Sequence, residues 1–291
     1  MSVVAGSYAA QAHYRLEAGP PCPGAIVLLH GLGGDLEQLW GITGAEVGGR
    51  PAAMLAPDAR GHGHTQLPEL GPLHFGVLAQ DLLSLVDHLH LGQKLVLVGV
   101  SMGAATALAV ALSRPERVHG LVLVRPAWLN EPRPKNLAPF AEVAALMREH
   151  GPVAGRALFE ASTTYHDYKA LSPSTGASLL DQFAKPFAFS RVRRLEELPG
   201  AVPYEHPGAL QAVLAPTLVI GAPDDPLHPV EFAQELAGLL PWARLALITP
   251  RDLSPERNLA DLRAAAGGFI AGLPPIDMLP AEPAQVDEAE A

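Results

Sequence analysis

Cysteine is nearly missing from this 291-residue chain: Cys22 is the only one, so no disulfide can form within it and a reducing compartment suits the fold. Flanked by Pro21 and Pro23, Cys22 reads as a small loop residue rather than a redox centre. Basic charge is also short. The 20 Lys+Arg face 30 Asp+Glu, a formal charge of −10, which offers no electrostatic footprint for nucleic acid or anionic lipid. No uninterrupted apolar run reaches the length of a membrane span. The first residues, MSVVAGSYAAQAHYRLEAG, lack a basic start followed by an apolar stretch, so no secretory leader is expected and the cytoplasm is the expected location. What is plentiful is apolar side chain: at 48% hydrophobic, the chain can bury a sizeable core, as one large domain or two small ones.

Short apolar runs alternate with helical patterns, the arrangement of a parallel sheet with crossover helices. Ala25 to His30, Ala52 to Pro57, Lys94 to Val100, Val118 to Val124, Pro216 to Ile220 and Arg244 to Ile248 read as buried strands, with Ala12 to Glu17 a candidate edge strand. Phe75 to Leu89 recurs with helical period, and Met102 to Leu112 is an Ala-rich helix whose small residues Gly103, Ala104 and Ala105 would let it lie close to the sheet. From about Ala127 to Leu214 the alternation stops. This segment carries helical stretches, Ala138 to His150, Val153 to Ser162 and Ser178 to Phe183, joined by Pro- and Gly-containing turns, and reads as an insertion into one domain. The expected organisation is a core of 1–126 and 215–273, an inserted segment at 127–214 and an acidic, Pro/Ala-rich disordered tail at 274–291.

Gly99-Val100-Ser101-Met102-Gly103 follows one predicted strand and opens a predicted helix. A bare Gly-x-Ser-x-Gly match is weak evidence; the strand and helix around it are what a nucleophile elbow requires. The glycines are needed because side chains two positions either side of a strained serine would collide with strand or helix. A helix starting just after the serine aims free backbone N–H groups at any developing oxyanion. The plain alternative is a tight turn with an N-capping serine. His30-Gly31-Leu32-Gly33-Gly34 follows the first buried strand and could bring a second N–H to the same point, so Leu32 and Met102 are the candidate oxyanion donors, an ordinary Gly-rich turn being the alternative.

With HGLGG at 30–34, PDARGHG at 57–63, GVSMG at 99–103 and GAPDDPLHP at 221–229 in order, the sequence resembles the α/β-hydrolase superfamily over nearly its whole length. The resemblance implies an α/β fold with a mostly parallel sheet flanked by helices, an inserted helical cap, and a Ser–acid–His triad acting on an acyl or related bond. It places the acid after the strand ending at Ile220, where Asp225 matches the pattern better than Asp224. It places the base after the last strand, where Arg251 to Asn258 contains no histidine and Asn258 stands at the corresponding position. An amide cannot take a serine proton, and a serine hydroxyl without a positioned base is a poor nucleophile.

His228, three residues beyond Asp225, is the one histidine after the acid. To serve as base it must also reach Ser101 from a position entering the next helix, where side chains ordinarily turn away. A helix-start histidine is the plainer reading, and His166, His206, His30 and His64 are other possible suppliers, with His62 structural as in the family. His30, Gly31 and Trp128 are candidate walls of a substrate pocket, an aromatic of the inserted segment such as Trp128 being more often core than wall. Arg191, Arg193 and Arg194 form a basic cluster that either meets an anionic substrate or, more plainly, forms a solvated helix face. His62 and His64 lack the carboxylate or cysteine partners of a metal site, so no metal or cofactor is expected, and the expected partner is a small-molecule substrate. The leading expectation is a serine hydrolase of small esters or amides. The alternatives are a lyase-type enzyme that uses the same pocket without an acyl-enzyme, and a degenerate hydrolase that only binds.

Overall fold

The computed structural model describes residues 6–19, 24–68 and 71–276. Cys22, the first five residues and the tail from 277 onward lie outside the described residues, and with them most of the segment expected to be disordered. In chain order the elements are α1 (Gly6–Ala9), β1 (Tyr14–Glu17), β2 (Gly24–Leu29), β3 (Glu46–Val47), β4 (Arg50–Pro51) and β5 (Ala53–Pro57). Then follow α2 (Phe75–His88), β6 (Lys94–Val100), α3 (Met102–Ser113) and β7 (Val118–Val124). The stretch between β7 and β8 holds α4 (Ala138–Glu160), α5 (Thr163–Leu171), α6 (Pro173–Asp181) and α7 (Arg193–Glu197). The chain closes with β8 (Thr217–Gly221), α8 (Val230–Leu239), β9 (Ala243–Leu247) and α9 (Pro255–Ala271).

Seven strands form one sheet in the order β1-β5-β2-β6-β7-β8-β9, with β1 antiparallel to β5 and every other pair parallel. The central strands are apolar throughout because both faces are covered. Val27 and Leu29 point to the layer containing α2 and α3, while Ile26 and Leu28 point to the layer containing α9. The chain runs from β2 outward to β5 on one side and then crosses to β6 on the other. The order in which strands are added therefore reverses between the parallel neighbours β2 and β6, and open α/β sheets bind ligands at the carboxyl ends of such a pair.

Each predicted strand is present within a residue or two at its ends. The helices between β7 and β8 differ more. Gly151, at φ 73°, breaks α4 beside Pro152, so the expected division between Ala138–His150 and the following helix is real although the two halves run on. Helix α5 has no counterpart in the sequence reading. The helix expected at Ser178 to Phe183 instead starts five residues earlier, where Ser172 caps it by accepting from Thr175 N–H at 3.1 Å and Pro173 occupies the first turn. The packed chain also runs three residues past the expected boundary at 273: Ile276 is buried against the core beside Gly24, and Pro274 O accepts from His119 Nε2 at 2.7 Å. Among the described residues no helix is long and apolar enough to cross a membrane.

Candidate active site

Ser101 follows β6 directly and opens α3, with φ 55° and ψ −112°, a left-handed conformation that a non-glycine residue adopts only when its surroundings enforce it. Those surroundings are explicit. A Cβ on Gly99 would collide with the carbonyl of Gly103, and one on Gly103 would collide with the carbonyls of Leu29 and His30. The two glycines let α3 sit against the end of β2, and the serine is left standing at the sheet's carboxyl edge, 8% exposed. Ser101 N–H donates to Val124 O at 2.9 Å, which fixes the turn to β7.

Across the switch point, Gly31 lies against this serine: a Cβ there would stand 3.5 Å from Ser101 Cβ. Its N–H donates to Gln38 Oε1 at 2.7 Å, and Gly34 N–H closes the turn onto Gly31 O at 2.8 Å, leaving Leu32 at the apex. Among the described residues neither Leu32 N–H nor Met102 N–H has a hydrogen-bond partner. Met102 is the first residue of α3, where a helix has no internal acceptor to offer.

After β8 the chain makes the turn Asp225-Pro226-Leu227-His228, closed by His228 N–H donating to Asp225 O at 3.1 Å. Asp at the first position and Pro at the second are what such a four-residue turn favours, and the turn brings its first and fourth side chains together. Asp225 Oδ1 also accepts from the N–H groups of Leu227 and His228, both at 3.2 Å. Leu227 is buried, and its carbonyl accepts from Asn136 Nδ2 at 2.7 Å, so the segment entering the inserted helices holds the turn in place.

Held this way, His228 Nδ1 lies 3.0 Å from both Asp225 carboxylate oxygens, and His228 Nε2 lies 3.0 Å from Ser101 Oγ. The carboxylate accepts from Nδ1–H, so Nε2 carries the lone pair toward the serine. The histidine therefore does reach Ser101, against the expectation that it would turn away. It does so because His228 precedes α8, with Pro229 between them, and the turn, not the helix, sets its direction.

Sequence reasoning missed Arg125. It follows β7 at φ 47°, and its Nη2 pairs with Asp225 Oδ2 at 2.5 Å and approaches His228 Nδ1 to 3.0 Å. Both nitrogens are donors, and the carboxylate accepts from both. The available signal was a lone cation at the carboxyl end of a buried strand, in Val124-Arg125-Pro126. Burial alone would raise the Asp225 carboxyl, but His228 and Arg125 outweigh it and hold it well below the usual carboxylate range. Burial pushes the His228 imidazole down; Asp225 opposes this in part and Arg125 adds to it, so the ring is neutral at neutral pH and free to accept a proton.

Other expected residues lie elsewhere. Asn258 turns its Nδ2 to Thr249 O at 2.7 Å, and the loop before it is tied to the start of α6, where Asp252 accepts hydrogen bonds from Ser172 Oγ and, at 2.8 Å, from Ser174 N–H. His30 is not a pocket wall. It is buried, its Nδ1–H donates to Gly31 O at 2.9 Å, and its Nε2 accepts from Ala59 N–H at 3.0 Å, so both ring nitrogens are used in shaping the loop. Trp128 is 1% exposed, donates Nε1–H to Leu198 O at 3.1 Å and packs edge-on against Phe75, which makes it core rather than pocket. His62 is buried, with Nδ1–H donating to Arg60 O at 3.1 Å. Among the described residues no group of three or more potential ligands is placed to hold a metal ion.

A cleft of about 790 Å³ opens beside the Gly-rich loop, between Leu32, Gly33 and Gln38 on one side and Ser178, Gln182 and Lys185 on the other. Ser101 is not one of its walls; Leu32, next to the glycine that touches the serine, is.

A family model for the alpha/beta hydrolase fold matches residues 24–250 of this chain. The chain belongs to the α/β-hydrolase family. It is 31% identical over 233 residues, 77% of its own length and 84% of the relative's, to the "Putative carbamate hydrolase RutD" of Pseudomonas savastanoi pv. phaseolicola. Over a shorter stretch of 111 residues, 38% of this chain and 35% of the other, it is 39% identical to the sn-1-specific diacylglycerol lipase ABHD11 of Mus musculus. Among solved structures, the enol-lactonase from Burkholderia xenovorans LB400 superposes with a TM-score of 0.66 at 26% identity, covering 88% of this chain and 95% of that one. This α/β-hydrolase is thus similar to enzymes named for hydrolysis, and the chain is a hydrolase.

Proposed function

We propose that this hydrolase cleaves a small carboxylic ester or amide through an acyl-enzyme on Ser101, with His228 as general base and Asp225 as the carboxylate that orients it. The observation that supports this reading most is the continuous contact from Ser101 Oγ through His228 Nε2 and Nδ1 to Asp225. Ser101 Oγ attacks the carbonyl carbon while its proton passes to Nε2. The imidazolium formed is stabilised by Asp225, and the oxyanion is held by the N–H groups of Leu32 and Met102. Nε2–H then protonates the leaving oxygen or nitrogen, the C–O or C–N bond breaks, and a water activated by the same nitrogen releases the acid. In this reading the segment 127–214 is a cap that roofs the site and fixes the substrate. The RutD relatives bear a name for carbamate hydrolysis, and a carbamate carbonyl is open to the same attack, so carbamates stand with esters among the substrates to test.

A binding protein without chemistry was the rival suggested by the missing histidine after β9, and the placement of His228 removes its motive. The test is intact-mass detection of covalent labelling by a fluorophosphonate probe. The reading expects stoichiometric labelling of the wild type and none of Ser101→Ala; a folded wild type that stays unlabelled would overturn it.

A further inference from the structure

Arg191 and Arg194 do not form the solvated face suggested by their sequence. They are 3% and 2% exposed, and among the described residues no carboxylate hydrogen-bonds to either. Arg191 Nη1 donates to Gly63 O at 2.6 Å, and Arg194 donates from Nη1 to Arg191 O at 3.3 Å and from Nη2 to Gln182 Oε1 at 3.4 Å. Among the described residues Arg191 Nη2 and Arg194 Nε are buried without a partner, and so is His62 Nε2. Burial and the mutual repulsion of the two guanidiniums bring Arg194 down to about 10. Two buried cations of like sign, with donors left over, cost stability unless negative charge offsets them.

The surrounding charges do not supply that offset. Asp58 acts on Arg191 through space, but its oxygens already accept from Leu36 N–H and His64 N–H at 2.9 and 2.8 Å and contact His13 Nδ1 at 2.8 Å. Lys185 is paired with Asp181, and Asp35 is exposed, with Oδ1 accepting from Glu37 N–H at 3.0 Å. Arg193, by contrast, reaches the surface, pairing with Glu197 at 2.6 Å and donating to Pro68 O at 2.9 Å.

Arg194 and His62 line a cavity of about 20 Å³, room for about one water or one carboxylate oxygen; its walls Gly33, Gly34, Asp35 and Lys185 are shared with the large cleft, and Gly61, Gly63 and Pro186 complete it. Gln182, 2% exposed, joins the guanidinium to the Gly-rich loop: it accepts from Arg194 and donates Nε2–H to Leu32 O at 3.5 Å. We infer that Arg194 forms a subsite for a carboxylate carried on the acyl part of the substrate, so that the enzyme prefers monoesters of dicarboxylic acids over neutral esters. A carboxylate oxygen would take the unpartnered Nε–H of Arg194. His62 Nε2, an acceptor in the neutral ring, would take a hydroxyl or water held beside it.

This inference rests on the hydrolase reading for the word substrate, but its test does not need turnover. Succinate and glutarate are titrated calorimetrically into the full-length Ser101→Ala protein, with dimethyl succinate as the uncharged control. The expected result is saturable binding of at least one dicarboxylate and none of the diester. Arg194→Met should weaken that binding at least tenfold and Arg194→Lys less, with circular dichroism confirming the fold of each. Absence of binding by both dicarboxylates, or equal binding by Arg194→Met, would overturn the subsite. In the active protein the ratio of kcat/KM for 4-nitrophenyl hemisuccinate over 4-nitrophenyl butyrate should fall at least tenfold in Arg194→Met, and an unchanged ratio would count equally against it. Failure of the fluorophosphonate labelling would strike the hydrolase reading and leave the titration result standing.

Discussion

Two loops at the carboxyl edge of the sheet divide work that the family resemblance assigned to both. The loop after β8 holds Asp225 and His228 on a single turn facing Ser101. The loop after β9, where the base was expected, faces the inserted helices: Asp252 accepts from Ser172 and Ser174 at the start of α6, and Asn258 is turned back onto Thr249. The contrast teaches that a nitrogen can be brought to Ser101 from a different loop than the family pattern suggests. In the proposed mechanism the first loop carries acid and base together, and the second ties two parts of the chain to each other.

The largest effects should separate the two loops. His228→Ala should lower kcat by about 10³-fold or more, comparable to Ser101→Ala, while Asn258→Ala should cost less than threefold, both measured with a 4-nitrophenyl ester. A large loss in Asn258→Ala with a mild one in His228→Ala would return the base to the loop after β9. A smaller effect is expected for Arg125→Met, about tenfold in kcat/KM at pH 7, from the loss of the cation that shares the Asp225 carboxylate.

The pH profile sharpens the same point. His228 must be neutral to accept the serine proton, so activity is present above its pKa and lost as pH falls through it. Because that pKa lies below the ordinary histidine value, kcat/KM should hold to below about pH 6.5 before declining. Arg125 lowers the His228 pKa, so in Arg125→Met the acid limb should move to higher pH; an unmoved limb would mean that the arginine is only a packing group. The smallest effect belongs to the loop after β9. Asp252 is exposed, so Asp252→Ala should cost about 0.5–1 kcal/mol, a fall in Tm of about 1–4 °C by calorimetry.

How much of this was legible in the sequence follows the range of the forces involved. Buried parallel strands are written as apolar runs, and the elbow is written in Gly99 and Gly103, because backbone sterics act over two to four residues. The Asp225-to-His228 turn was also local, signalled by Asp-Pro, yet the neighbourhood of Ser101 127 residues away was not, since it depends on how the strands order themselves. Arg125 carried no motif at all. Arg191 and Arg194 read as surface because basic runs usually are, and only long-range packing reverses that, with Arg191 on Gly63 O and Arg194 on Gln182 Oε1. For Trp128 the sequence left core and pocket wall both open, because its partner Phe75 is 53 residues back along the chain, on a helix the sequence could identify but not locate.

Placing Asp225 and His228 on one turn makes their pairing depend on a single anchorage. The Leu227 carbonyl on Asn136 and the Arg125 cation on Asp225 hold that turn from two other segments, so a shift of the inserted helices against the sheet would move both side chains together and alter their distance to Ser101 without separating them from each other.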